Sequence, residues 1–594
     1  MSSILMDRPY EEARSSMPAI AGASVAASLI LLLAFFVLAG LFPAVVMAPY
    51  GPTALDPGAF GSILRAVILG ERCAPGLETW IGIDCRLSVL NQVSSIIRRS
   101  PAAMIGLTTC VAASGAAFLM AYLNIWQATP KREKVRTLKG FRPVYDADGR
   151  EGLRAALSRI GGAMKRGLWI APHVQLTRAA EGYNLMALGT QGSGKTSTLR
   201  AMIEQLIDRG DRVIVHDVKG DMYAGLPTRC AVLIAPHDRR SWAYDLAADI
   251  QNREHAREFA VHAIQPTGSD AMWGQGAQAI WTDLVMSLRA DRGSEWSWPD
   301  LSGVLLAPGA VIKERLDAHK SLMSARLVFG SGDPEENKTT MSLLITLWIA
   351  AITVVEPLAL AWADVPRRRR FSLRAWLAAD SPLPRVVVLQ KSTEYPALTG
   401  SAAAFLVDRL IGLALRPGGR RNPDRRLALC IDELPEWNRL RRLPNLLNVG
   451  REFGIVTIAG VQDIASLIEV YGEESTKVLL ARFRIKIVHQ LEAGDTAERI
   501  CGLLGRRRIE LAGPVRRDPT TGRLTRDDER ETVEVLPVEK LSSELGPHRK
   551  GLDHLIRVMV MGLNNPAILD IPLTVWRERR AGHVPATWLE PPTQ

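Results

Sequence analysis

The sequence belongs to the α/β class, with a largely parallel sheet covered by helices on both faces, preceded by two transmembrane helices. Three observations lead there. Short apolar strands alternate with helical patterns from about residue 140 onward. A glycine-rich turn joins one such strand to a helix, in "NLMALGTQGSGKTSTLRAM". Two long uncharged runs lie ahead of all of this.

The first run is residues 19–46, within a stretch that carries no charge between Arg14 and Asp56. The second, residues 101–128, lies in the uncharged interval between Arg99 and Lys131. About twenty apolar residues in a helix cross a bilayer core, and both runs suffice. A cleaved signal peptide is the alternative for the first, but its apolar run exceeds a signal h-region and a second span follows. "KREKVRTLKGFR" after the second run outweighs Arg98 and Arg99 before it and places the C-terminal side in the cytoplasm. The expected order is a cytoplasmic N-terminus (1–18), a first span (19–46), a periplasmic loop (47–100) and a second span (101–128). Cys73 and Cys85 lie in that loop. An oxidising periplasm would allow them to pair, which spacing alone does not establish. The six cysteines form no CxxC pair, which argues against a zinc site.

The glycine-rich turn reads Gly189-Thr190-Gln191-Gly192-Ser193-Gly194-Lys195-Thr196-Ser197, the P-loop spacing. Glycines let consecutive backbone N–H groups converge on phosphate oxygens, and the helix N-terminus adds partial positive charge. Lys195 would face the β- and γ-phosphates, and the Thr196 hydroxyl would ligate Mg2+. A ligand-free strand-to-helix turn is the bland alternative, and Lys-Thr at the helix start argues against it. The expected ligands are ATP and Mg2+.

Two further strands carry partner chemistry. "RRLALCIDELPEW" ends a strand in Asp432 and Glu433, a metal-shell carboxylate and a base for the attacking water. Gln462 closes the strand in "GIVTIAGVQD", where its amide could contact the γ-phosphate or water. Arg451, in "NVGREFG", precedes that strand and could act as an arginine finger on a neighbouring subunit's nucleotide. "DRVIVHDVKGDMY" gives another strand, and the sheet resumes at "LPRVVVLQ".

Taken together, "GTQGSGKTS", "VIVHDVKGD", "DELPEWNRLRRLPNLLNVGREFG" and "GVQD" resemble the type IV coupling proteins of bacterial conjugation, the TraD/TrwB-like family. The resemblance runs from the first span to about residue 575. It implies a RecA-like P-loop NTPase domain in two parts, 129–246 and 376–580, around an all-helical insertion domain at 247–375, with a C-terminal tail at 581–594. It also implies a homo-hexameric, multi-pass inner-membrane ATPase that links single-stranded DNA and its relaxase, the relaxosome, to type IV secretion channel components. By the same resemblance Lys195, Thr196, Asp432 and Glu433 serve nucleotide and magnesium. Arg451 takes the intersubunit position and Gln462 that of a strand-end sensor.

Inside the insertion, "TTMSLLITLWIAAITVVEPLALAWA" is long and apolar enough for a third span, but Glu356 and its place between two pieces of one fold favour a buried core helix. The net charge of +11 suits an acidic partner, nucleic acid or an anionic membrane. Arg367–Arg370, Arg420 with Arg421, and Arg506–Arg508 are candidate phosphate contacts, solvated loops being the default for any one of them. "GPVRRDPTTGRLTRDDERE" reads as an exposed hairpin or loop. Two other functions fit the P-loop: an FtsK-like double-stranded DNA translocase and a nucleotide-dependent membrane scaffold without motor activity. The first usually has more spans and a C-terminal DNA-reading module, and neither is visible. A GTPase is disfavoured because no Asn-Lys-x-Asp motif occurs.

Overall fold

Runs such as Val386–Gln390 (VVVLQ) and Leu427–Ile431 (LALCI) are buried at every position, as strands covered on both faces must be. A computed structural model describes residues 135–160, 166–265, 271–320, 338–392, 394–415, 426–437, 439–513, 515–517, 524–526 and 528–589. Both expected spans, the Cys73–Cys85 pair and Arg420 with Arg421 lie outside them. The chain divides into two compact units, Met1–Arg136 with Ile509–Glu531, and Thr137–Arg508 with Thr532–Gln594. In the first, Val515–Arg517 pairs antiparallel with Leu524–Arg526, within the stretch read from the sequence as a hairpin or loop.

The second unit is built on an eleven-stranded sheet. In chain order its strands are β1 (Val144–Tyr145), β2 (Leu185–Leu188), β3 (Arg212–Asp217), β4 (Ala231–Ile234), β5 (Val386–Gln390) and β6 (Leu427–Ile431). They continue with β7 (Ile455–Val461), β8 (Ile485–Val488), β9 (Gly546–Lys550), β10 (Asp553–Met561) and β11 (Ala567–Pro572). The spatial order is β1-β11-β10-β8-β2-β7-β6-β3-β5-β4, with β9 on the first half of β10. From β8 to β4 every pairing is parallel, and β10 is antiparallel to β8, β9 and β11. Successive residues alternate between two cores. Met186, Leu188 and Ile214 face one, and Leu185, Ala187, Val213 and Val215 the other.

The helix that follows β2, α1 (Lys195–Asp208), buries Leu199, Met202, Ile203 and Leu206 on the sheet. Its apolar residues recur at the helical spacing read from the sequence. Between β4 and β5 the chain is mostly helical: α2 (Arg253–Ala263), α3 (Ala271–Arg292), α4 (Trp298–Leu305), α5 (Gly309–Ala318), α6 (Lys338–Ala350) and α7 (Glu356–Trp362). A two-residue parallel ladder, Ala243–Tyr244 with Arg370–Phe371, brings the two ends of this excursion together.

Helix α6, a π-helical turn at Ala351–Val355 and α7 form one continuous apolar rod, Lys338–Trp362, with mean hydropathy 2.2. It is the one described helix long and apolar enough to cross a membrane. Its inner side, Leu343, Leu344, Leu347, Val355 and Leu358, is packed in the larger core. Ile345, Ile349, Ile352 and Leu360 are exposed on its outer side.

The carboxyl ends of β6 and β7 meet at a glycine. A Cβ on Gly460 would lie 2.0 Å from the Asp432 carbonyl oxygen, and the Gly460 carbonyl accepts from Leu434 N–H at 2.9 Å. Gly460→Ala should push the Asp432–Leu434 turn away and cost about 1–3 kcal/mol, read as a lower apparent Tm. Gly152→Ala is the control, since a Cβ there meets nothing within 4 Å.

Candidate functional site

In a parallel sheet the carboxyl ends of the strands gather along one edge, and chain order decides which polar residues meet there. Here β2 lies between β8 and β7, and β6 is next beyond β7. The P-loop leaves β2, Asp432 and Glu433 leave β6, Gln462 leaves β7, and His489 with Gln490 leaves β8.

The loop is held at both ends. Gly189 N–H donates to the Val461 carbonyl at 3.2 Å, and Thr190 N–H to the Gln490 carbonyl at 3.0 Å. The Ser193 hydroxyl closes the turn on the Thr190 carbonyl at 2.7 Å. Gly192 and Gly194 have φ of 79° and 95°, in the left-handed region where glycine alone is at ease. A Cβ on Gly194 would also strike the Ile556 side chain at 2.5 Å. Gln191 and Gly192 are exposed at the tip.

The Lys195 ammonium forms an ion pair with the Glu433 carboxylate. Their residues are only 6% and 7% exposed, so neither charge has much water to fall back on. Gln462 N–H donates to the other Glu433 oxygen at 3.0 Å. Burial pushes the Glu433 carboxyl above its ordinary range, against the pull of Lys195. The Thr196 hydroxyl donates to Asp432 Oδ1 at 3.4 Å. These two oxygens are hard donors at one place, a donor set that suits a small divalent cation such as Mg2+. Burial, opposed by Lys195 and helped by Asp221, Asp217 and Glu433, raises Asp432 to about 6.

Arg451 is not part of this cluster. It sits in a 3-10 turn, Gly450–Phe453, at the amino end of β7. Seven strand residues, roughly 20 Å or more, separate it from the carboxyl edge where Lys195 lies. Arg451 and Arg484, both exposed, stand over the Tyr183 ring with guanidinium carbons 5.3 and 4.3 Å from its centroid.

Sequence reasoning missed the brace from β8. Fully buried His489 places Nε2 2.8 Å from the Thr198 hydroxyl and Nδ1 3.1 Å from the Leu188 carbonyl, and burial lowers its pKa to about 4. The neutral ring therefore ties the first turn of α1 to β2. Its only sequence signal was an apolar strand ending in His-Gln ("RIKIVHQ"). The basic clusters that are described are partly committed: Arg367 pairs with Glu295, Arg369 donates to the Ser241 carbonyl at 2.6 Å, and Arg507 is buried.

The family model of the type IV secretion-system coupling protein DNA-binding domain matches residues 169–517. The coupling protein TraD of Escherichia coli (strain K12) is 24% identical over 375 residues, 60% of this chain. The matched region spans 49% of TraD, about half its length. The unbound bacterial conjugative coupling protein TrwB lacking its N-terminal segment is 22% identical, with a TM-score of 0.59, covering 76% of this chain and 96% of its own. The same fold match holds for TrwB in complex with ADP and Mg2+ (TM-score 0.58, 22% identity, 76% and 98% coverage) and with a non-hydrolysable GTP analogue (0.58, 22%, 76% and 97%). These likenesses give this chain the mixed α/β fold of TrwB.

The position of Asp432 gives a pH test. A Mg2+ ion held by Asp432 would need its carboxylate form, which is depleted as pH falls through about 6. The Mg2+-dependent gain in nucleotide affinity should be complete near pH 8 and fall by about tenfold per unit below 6. Titrations across that range check it, and Asp432→Asn should lack both the gain and its pH dependence.

Proposed function

This chain belongs to the type IV secretion-system coupling protein family, and from that premise we propose that it is an inner-membrane ATPase that binds ATP with Mg2+. Hydrolysis drives single-stranded DNA, with its relaxase, towards a type IV secretion channel. The observation that carries this reading is the buried meeting of Lys195 with Glu433 beside Thr196 and Asp432 at one strand edge. TrwB, of the same fold, is seen with ADP and Mg2+.

The residues divide the work as follows. The P-loop backbone from Gly189 to Ser197 cradles the phosphates, and Lys195 leaves Glu433 for the β- and γ-phosphate oxygens. Glu433, relieved of its cation and still held by Gln462 N–H, takes a proton from the attacking water. Thr196 and Asp432 hold Mg2+, which supplies charge neutralisation on the phosphate oxygens. The Gln462 side chain stands at the end of β7 to read the γ-phosphate.

Arg451 acts across a subunit boundary. Its place at the amino end of β7, with its own Lys195 at the carboxyl edge, leaves a neighbour's nucleotide as its target. A homo-hexameric ring supplies that neighbour. Residues 19–46 and 101–128 anchor the ring, with the ATPase in the cytoplasm, and 247–375 form the inserted helical domain, where the rod Lys338–Trp362 is a core helix.

Lys195→Ala should abolish nucleotide binding, and Glu433→Gln should preserve binding but stop turnover. Normal conjugative transfer by either variant would overturn the motor reading. Arg451→Ala should lower ATP turnover by about a thousandfold. Mixing it with Lys195→Ala subunits should restore activity at interfaces that pair an intact arginine with an intact P-loop. Co-assembled mixtures with no recovery, beside a normal rate for Arg451→Ala alone, would refute the trans role.

A further inference from the structure

The order of the strands gathers three residues at the edge opposite the P-loop. In the sheet β2 lies between β7 and β8. Arg451 precedes β7, Tyr183 precedes β2 and Arg484 precedes β8, so the tyrosine falls between the two arginines. Arg484 N–H donates to the Tyr183 carbonyl at 3.0 Å, and Ile485 N–H to the Asn184 carbonyl at 3.3 Å. The Asn184 side chain accepts from Thr457 N–H at 3.1 Å, fixing the same turn to β7. The ring therefore stands on backbone held from both sides, with the Arg451 and Arg484 guanidinium carbons 5.3 and 4.3 Å from its centroid.

The chain beneath Arg451 is cut back to admit its stem. A Cβ on Gly182 would lie 2.5 Å from Arg451 Cγ and 2.9 Å from its Cβ. Gly182 has φ −65°, which any residue adopts, so the missing side chain serves the close approach and not the turn. Both arginines are exposed, and among the described residues neither pairs with a carboxylate. Arg484 spends only Nε, on the Gly562 carbonyl at 3.3 Å. Glu181, two residues before the ring, is fully buried and committed to Arg178 and Arg209. Stacking aims each guanidinium while leaving its terminal N–H groups open. Two such forks around one ring suit an anion with several oxygens, a phosphoryl group.

We propose that Arg484 is a second phosphate-binding arginine at the subunit boundary, working beside Arg451 on a neighbour's γ-phosphate, and that Tyr183 is the positioning residue for both. This rests on the trans reading of Arg451 and deepens it. Because the two side chains are already stacked before the phosphate arrives, they lose less freedom on meeting it.

The test is ATP turnover by the full chain in detergent without DNA, alongside titration with ADP and Mg2+, which lacks the γ-phosphate. Arg484→Ala should lower kcat by about a hundredfold and leave the Kd for ADP unchanged. Mixed with Lys195→Ala subunits it should regain activity. Tyr183→Leu, which keeps both arginines and removes their ring, should lower kcat by about fivefold, and Tyr183→Phe should restore it. Gly182→Ala should lower kcat too, since its Cβ displaces the Arg451 stem. An unchanged kcat in Arg484→Ala or Tyr183→Leu would overturn the proposal, as would a loss that co-assembled mixtures do not recover. DNA phosphates offer the same chemistry from another source. If they were the ligand, Arg484→Ala would keep its DNA-free turnover and reduce the salt slope of single-stranded DNA binding by about 0.7, which also overturns it. Arg451→Ala separates the two readings. If it too turns over normally, the trans reading fails; if it alone is slow, only the second arginine and its platform fail.

Discussion

A buried ammonium and a buried carboxylate tolerate each other only as a pair. Removing either partner from Lys195–Glu433 would leave the other charge without compensation, at a cost of about 3–5 kcal/mol. That constraint organises the nucleotide edge. It requires the loop after β2 and the turn after β6 to converge across β7, whose last residues, Gly460 and Val461, bond to Leu434 and Gly189. It also leaves the Lys195 ammonium and the Glu433 carboxylate each holding the other. Under the proposed mechanism, phosphate oxygens that draw Lys195 away would free the carboxylate in the same act and so couple water activation to occupancy.

Much of this was legible in the sequence because the chemistry is local. The P-loop, the Asp-Glu at the end of a buried strand and the Gln462 strand end each need only a few consecutive residues, and the strands and α1 fall where the apolar runs put them. The strand before the P-loop begins at Leu185, because Asn184 turns at φ 56° to send its side chain to the Leu447 carbonyl and Thr457 N–H.

What the sequence hid was long-range. The brace from His489 and Gln490 joins residues about 300 apart in the chain, and no periodicity marks it. Residues 582–589 of the segment read as a tail are held to the turn that follows β4. Val584 N–H donates to Asp238 at 2.8 Å, and the Trp588 indole donates to the Pro236 carbonyl at 2.9 Å. Pro-containing, unpatterned sequence gives no sign of such docking, since its hydrogen bonds are made one at a time with distant backbone. The rod Lys338–Trp362 was ambiguous for a different reason. It is apolar all round, so composition could not say that one side is core and the other open.

The ladder between Ala243–Tyr244 and Arg370–Phe371 has a consequence for how such a chain can change over evolutionary time. Because the excursion between β4 and β5 starts and finishes at adjacent points, and β4 and β5 pair directly, its length is decoupled from the register of the sheet. A change of length in its loops need not alter the spacing of Lys195, Asp432 and Glu433.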